Sequence, residues 1–363
     1  MPPAKPGLTI YPPIRFGVAF DLDVRLGPAN LPLCAKGGTI RHLVIRSPGA
    51  FHLNLAFDQF QLSPNAIVKF YNADSSMVVG PFGLRELGGQ PETFATDLVL
   101  GDVFVPELWE PDGEASQSQF HLIKATHGYR DQYADLCGGL ASGRTEAGFG
   151  ASLPCQRDLI CEPQWLNHGR AVGMLINIDN RGSGVMVNTN NYNYRRFFLT
   201  AAHNLPAVKT PVIDDQTGNL ANGNADQALL ELKPAAGEGP NNGFVFGTLR
   251  ANDVYFAGWD RSLTGRNGGF GIHHPKGDVQ KISAQSRVSV AGNKNYWDVI
   301  FDAGATTEVG SSGSPLFNSA GRVIGHLSLG FTNPTCDPNQ LNIYGGFDVA
   351  WGERNVTLIE STL

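Results

Sequence analysis

The chain has 363 residues, a formal net charge of −6, 42% hydrophobic and 17% charged residues, 44 glycines and 23 prolines. That length allows two domains of ordinary size, each with its own core. The acidic balance without a Lys/Arg run argues against a nucleic-acid partner, and no apolar stretch approaches the ~18 residues of a membrane-spanning helix.

In chain order, the first stretch, "MPPAKPGLTIYPPIRFG", has no apolar centre and does not read as a secretory signal peptide. From about residue 15 to 130 short apolar alternations follow one another: "TIRHLVIRSPGAFHLNLAFDQFQL", "AIVKFYN" and "DLVLGDVFVPELWEP". Turn signals separate them at Ser47-Pro48-Gly49, Ser63-Pro64-Asn65, Gly80-Pro81 and Pro111-Asp112-Gly113. Regular spacing of this kind predicts an antiparallel β-sandwich over residues 1–136. Residues 137–152, "CGGLASGRTEAGFGAS", carry little to bury and read as a linker. Strand patterns resume over 153–363 in "AVGMLIN", "GVMVNT", "RRFFLTA", "QALLELK", "DVYFAGW", "WDVIFD" and "RVIGHLSLG". With few amphipathic helices and no internal repeat, the second domain is expected to be all-β, closed barrels being one way to hide so many edges.

The five cysteines, Cys34, Cys137, Cys155, Cys161 and Cys336, are too scattered for a disulfide scaffold and lack the C-x-x-C spacing of a zinc site. One sequon, Asn355-Val356-Thr357, is weak evidence for glycosylation. His273 and His274 precede Pro275; neighbours on a strand face opposite ways, so the pair reads as structural rather than as metal ligands. Trp259 and Asp260 read as packing and turn residues. Trp109 and "GYRD" (128–131) are sandwich-core or linker features with binding as the alternative.

Three segments carry chemistry. "FFLTAAHNL" puts His203 where an apolar strand turns out, "NADQALLELKP" puts Asp226 just before another, and "EVGSSGSPLF" puts Ser312 on a glycine-flanked turn. Each alone has a bland reading, as a loop histidine, a strand-entry aspartate and a flexible serine loop. Asp214 and Asp215 compete for the acidic place, but no apolar strand follows them, so Asp226 leads. Together they supply an alcohol, a base to remove its proton and an acid to orient that base.

The order His, Asp, Ser along the chain is that of chymotrypsin-like serine proteases, and "LTAAH", "DQALLEL" and "GSSGSP" resemble their signature segments. "VYFAGWDRS", "GIHHPKGDVQKIS" and "TEVGSSGSPLFNSAGRVIGHL" narrow the resemblance to the bacterial lysyl endopeptidase family over about residues 150–352. The resemblance implies a chymotrypsin-like double β-barrel in an all-β chain, with Ser312 as nucleophile, His203 as general base and Asp226 as its orienting carboxylate. It also implies an oxyanion hole of the Gly310 and Ser312 amides, no cofactor and no metal. By the same analogy the specificity pocket falls at Thr306, Thr307, Ser328, Gly330 and Asn342. Lysyl endopeptidases have an aspartate where Asn342 aligns, so a neutral pocket without strict lysine preference is expected unless Asp337 or Asp348 supplies the charge.

Cys155 and Cys336 match a bridged pair of the family, implying a Cys155–Cys336 disulfide. Asn204 stands where a cysteine commonly follows the histidine. Cys161 then lacks its usual partner, with Cys137 or Cys34 as replacements. Ser311 replaces the carboxylate that captures a freed amine in trypsin-like zymogens. Residues 1–136 resemble the family's propeptide, with a folding, inhibitory or ligand-binding role and a cut near Phe149–Gly150. The expected partners are protein or peptide substrates, with no nucleic acid and no membrane span, the protein itself being a monomer in a secreted or extracytoplasmic setting. The rival readings are a catalytically silent homologue that binds proteins through its barrel surface, and an ester hydrolase.

Overall fold

The computed structural model describes residues 8–10, 14–87, 89–90, 93–130, 150–176, 180–189, 197–205, 226–231, 255–262, 269–284, 287–290, 296–331 and 333–348. They form two compact units, one of residues 15–130 and one that joins 8–10 and 14 to the chain from 150 onward.

The first unit is two antiparallel sheets. One runs Thr93–Ala95, His52–Gln61, Gln119–Gly128, Gly17–Leu26, with Val99–Leu100 also on His52–Gln61. The other runs Leu33–Ala35, Gly38–His42, Val103–Pro111, Ile67–Asn72, Val78–Phe82, with Ile45–Arg46 also on Val103–Pro111. Strand alternation turns Val68 and Phe70 into the core, where Phe57, Phe60, Phe70, Phe104 and Phe120 gather with Leu53, Leu55 and Leu122. Phe60 and Phe120 stack at 4.2 Å between ring centroids. At one edge the buried Arg41 donates to Glu110 at 2.5 Å, and Glu110 also accepts the Ser116, Gln117 and Ser118 amides. A buried ion pair persists only when its remaining valences are met in this way.

The second unit also has two antiparallel sheets. The smaller runs Val172–Ile176, Asn180–Val187, Phe197–Ala201, Gln227–Glu231, with Ile14–Arg15 paired to Asn180–Val187. The larger runs Arg157–Asp158, Lys281–Ala284, Gly269–His273, Pro315–Asn318, Val323–Phe331, Leu341–Gly346, Tyr296–Ile300, Arg287–Val290, with Leu8–Ile10 on Val323–Phe331. Val185, Leu199, Leu229, Phe270, Ile272, Phe317 and Val323 share one core across both sheets. The all-β architecture is therefore the expected one. "DVYFAGW" is a departure: of its described residues only Ala257 and Trp259 make isolated bridges, to Val187 and Val323. Trp259 instead donates to the Asn188 carbonyl, and Asp260 accepts from Ser262 and Asn318. Helix is confined to short turns such as Leu84–Leu87 and Leu166–Gly169.

Candidate active site

Phe197–Ala201 is buried along its length and pairs antiparallel with Gln227–Glu231, Ala201 opposite Gln227. One strand thus leaves the sheet at the end where the other enters. Just outside that end lie the single turn Ala202–Asn204 and, before the second strand, Asp226. Register brings His203 and Asp226 together. His203 Nδ1 is 2.7 Å from Asp226 Oδ2, and the His203 amide donates to Asp226 Oδ1 at 3.1 Å. A carboxylate oxygen only accepts, so Nδ1 holds the proton and Nε2 the lone pair. Asp226 has a φ of 50°, a left-handed conformation that aspartate tolerates better than most residues.

Two residues on Val323–Phe331 complete the setting of the acid. Ser328 Oγ donates to Asp226 Oδ2 at 2.6 Å, and His326 Nε2 lies 2.8 Å from the Asp226 carbonyl oxygen. Positions 326 and 328 share a strand face, which is why both reach the same residue. Ser328, expected as a wall of the specificity pocket, has its hydroxyl committed to the acid.

The serine lies on two linked turns, with the Ser311 amide bonded to the Glu308 carbonyl and the Ser314 amide to that of Ser311, both at 2.9 Å. Gly310 and Gly313 have φ of 92° and 82°. A Cβ at 313 would strike Thr200 Oγ1 and the Ser183 carbonyl oxygen, and one at 310 would lie 2.6 Å from Ile14 Cδ1. Both positions require glycine on two counts. Asn204 Nδ2 donates to the Ser312 carbonyl at 2.8 Å and to Thr200 Oγ1 at 3.0 Å, and the Ser183 amide reaches the same Ser312 carbonyl at 2.8 Å. The histidine's turn is thereby tied to the serine's turn. Among the described residues, His203 Nε2 and Ser312 Oγ are buried without hydrogen-bond partners, and the Gly310 and Ser312 amides have no acceptor.

Behind the turn, Ser311 lies between His273 Nδ1, 2.8 Å away, and the Glu308 amide, which donates to its Oγ at 3.2 Å; His273 Nε2 is 3.1 Å from Ser283 Oγ. Burial, with smaller contributions from His274 and Lys281, pushes the His273 pKa down to about 3, so its neutral ring braces the turn. The structural reading of His273 and His274 fits this: His274 Nδ1 is 2.9 Å from the Asp278 carbonyl oxygen, and burial lowers its pKa to about 4.

Of the pocket residues, Thr306, Thr307 and Asn342 form one group. Asn342 Oδ1 accepts from the Thr307 amide and hydroxyl at 3.0 and 2.7 Å, and Nδ2 donates to Val299 and Gln340 carbonyls. Thr306 Oγ1 accepts from Gln340 Nε2 at 2.6 Å. Gly330 follows Leu329, whose partner Ile343 adjoins Asn342, and it lies opposite Thr9 in the pairing of Leu8–Ile10 with Val323–Phe331. Cys155 is bonded to Cys336 with the Cα atoms 5.7 Å apart. Cys34 and Cys161 are free and exposed among the described residues, and Cys137 lies outside them. The expected cut at Phe149–Gly150 also falls at the border, since Phe149 is outside the described residues. The Gly150 amide donates to Asp278 Oδ1 at 2.8 Å, and Ser152 Oγ reaches the other oxygen at 2.5 Å.

Paired antiparallel sheets, an imidazole held by Asp226 and a neighbouring Asn204 that ties its turn to the carbonyl of Ser312 fit the serine proteases of chymotrypsin-like fold. The family model for the C-terminal domain of lysyl endopeptidase matches residues 149–345, more than half of the sequence, and the chain belongs to that family. Among solved structures, neuropsin, a serine protease of mouse brain, is 17% identical over 54% of this chain and 96% of its own, with a TM-score of 0.37. A thermostable serine protease from an extremophilic microorganism is 13% identical over 54% of this chain and 100% of its own, with a TM-score of 0.36. A serine endoprotease from Yersinia pestis is 18% identical over 53% of this chain and 62% of its own, with a TM-score of 0.32.

Proposed function

We propose that this protein is a serine endopeptidase that hydrolyses protein or peptide substrates through an acyl-enzyme on Ser312. The observation that carries this reading is the His203–Asp226 contact, which fixes the imidazole with its Nε2 lone pair unused. The Ser312 hydroxyl carries the proton that this lone pair takes. As Oγ attacks the substrate carbonyl, His203 removes the proton and later gives it to the leaving amine. Asp226 holds the imidazole's orientation and stabilises the imidazolium, with Ser328 in turn holding Asp226. The Gly310 and Ser312 amides meet the negative charge on the carbonyl oxygen. Water then repeats the sequence on the acyl-enzyme.

The preference at the cleaved bond is not strictly lysyl. Asn342 is neutral, and its side-chain amide is already bonded within the wall. A substrate ammonium would be desolvated there without a counter-ion. The Cys155–Cys336 bond supports an oxidising, extracytoplasmic setting.

Fluorophosphonate labelling of the purified, oxidised chain tests the reaction. One adduct on Ser312 is expected, and Ser312→Ala should abolish it and lower peptide turnover by about 10⁴ or more. Ordinary turnover in that variant would remove the assignment. A panel of lysyl, arginyl, leucyl and glutamyl peptides tests the pocket, and fast cleavage confined to lysyl peptides would overturn the neutral-wall reading.

A further inference from the structure

The far end of Val323–Phe331 carries the inference. Residues 323–326 of that strand pair with Pro315–Asn318, and Leu327 and Leu329 pair with Leu341–Gly346 on the other side. Past residue 326 the first side is left free by Pro315–Asn318, and Leu8–Ile10 fills it, antiparallel, with Leu8 opposite Phe331, Thr9 opposite Gly330 and Ile10 opposite Leu329. The next residue along that edge is Ser328, which holds Asp226. Four positions beyond Ile10, Ile14 is buried, its Cδ1 beside Gly310, and it opens a strand paired with Asn180–Val187. The described ends of this short segment therefore flank the serine turn. On one side lies the strand that supports the acid, on the other the glycine whose amide faces the reacting carbonyl.

We infer that Leu8–Ile10, together with Ile14 at the serine turn, is a built-in occupant of the substrate groove, Leu8–Ile10 lying in an extended, substrate-like register that keeps other peptides out. The inference rests on the proteolytic reading for its meaning as inhibition. Two features suit this role. The sheet edge at 329–331 offers backbone donors and acceptors in the spacing that any extended peptide uses, which makes it a general peptide-binding rail. Because the occupant belongs to the same chain, it binds without the loss of translational freedom that a separate peptide suffers, so a modest set of contacts is enough. The chain from Arg15 onward leads directly into the first unit, which gives that unit a part in the control: whatever displaces or removes it takes the occupant along. Ser311, standing where trypsin-like zymogens carry an amine-capturing carboxylate, is consistent with control by occupancy.

The test uses the full-length chain. Leu8→Pro combined with Thr9→Pro removes the amide donors of two successive residues, so whichever of them faces the edge is lost. Fluorophosphonate labelling of this variant should be at least about tenfold faster than that of the parent, because the reactive fraction rises when the occupant leaves. A synthetic peptide of residues 8–15 should slow it again in competition with substrate. Ile14→Gly, which removes the contact at Gly310, carries the same readouts should the proline variant not fold. A fluorescently tagged copy of the peptide provides a measurement that needs no catalysis. Binding to the released variants but not to the parent supports the occupant even where no chain is labelled, an outcome that would sink the protease reading alone. Equal labelling of parent and both variants, with no binding of the tagged peptide to any of them, would overturn the occupant and leave proteolysis standing.

Discussion

Asp226 shows how much one residue can be asked to do. Its two carboxylate oxygens accept from the His203 amide, His203 Nδ1 and Ser328 Oγ, and its carbonyl oxygen meets the Ala202 amide and His326 Nε2. Asparagine has almost the same shape but only one accepting atom. Asp226→Asn must therefore either leave a buried donor without a partner or turn an NH₂ toward His203 and force the imidazole into the tautomer whose Nε2 carries the proton. The second outcome removes the base. Turnover should fall by about 10⁴ with little change in KM, measured on a soluble peptide. A fall of less than tenfold would show that His203 keeps its orientation without the carboxylate. Asn204 is the quieter counterpart. Where relatives commonly put a cysteine, it spans from the histidine's turn to the serine's carbonyl with hydrogen bonds.

At the level of elements, the site is made by where strands end. The sequence shows that "FFLTA" and "QALLEL" are strands and that a histidine and an aspartate stand just outside them, because apolar alternation and polar exits are local signals. It does not show that Ala201 faces Gln227, which is what turns two loop residues into a contact. Register depends on a partner far away in sequence. The same limit hides the grouping of residues 8–10 with the second unit, since nothing in "LTI" distinguishes an edge filler from the start of the sandwich. A signal was available for Ser328: the alternation His326-Leu327-Ser328 puts two polar side chains on one face of an otherwise apolar strand, pointing to a buried polar partner. "DVYFAGW" misleads for the opposite reason, as Ala257 and Trp259 join the core through single bridges without forming a ladder. The serine turn is the element most exposed to substitution. Gly313→Ala should be worse than an ordinary surface change, because it adds a left-handed φ to a collision with Thr200 Oγ1 and the Ser183 carbonyl. The backbone has to rotate and carry the Ser312 amide away from the reacting carbonyl. Loss of one oxyanion donor corresponds to about 10²–10³ in kcat. Native-like circular dichroism together with such a loss would locate the damage in the turn, and full activity would show that the turn has slack.

For the whole molecule, acid should act on stability through histidines that the fold keeps neutral. His273 is buried and His274 partly so, with pKa values held down to about 3 and about 4, first by loss of hydration and then by His274 and Lys281 for the one and Arg181 for the other. In the unfolded chain each would take a proton near the ordinary value of about 6.5. Above that pH neither state binds the proton and the fold is at full strength. Below it the unfolded chain gains protons that the folded one refuses, so stability falls as pH drops below the ordinary histidine value. Asp278 adds to the loss at the acid end. Its carboxyl is held below the ordinary value by Ser152, the Gly150 amide and Lys281, against the opposing effect of burial, so its contribution disappears as pH falls through its lowered pKa. The melting temperature of the oxidised chain should therefore be level above pH 7 and drop by several degrees by pH 5. His273→Asn keeps a donor and acceptor near Ser311 without a titrating ring and should make that drop shallower. A parent curve that stays flat to pH 5 would mean that the fold accepts protons on both rings, and the neutral brace behind the serine turn would have to be abandoned.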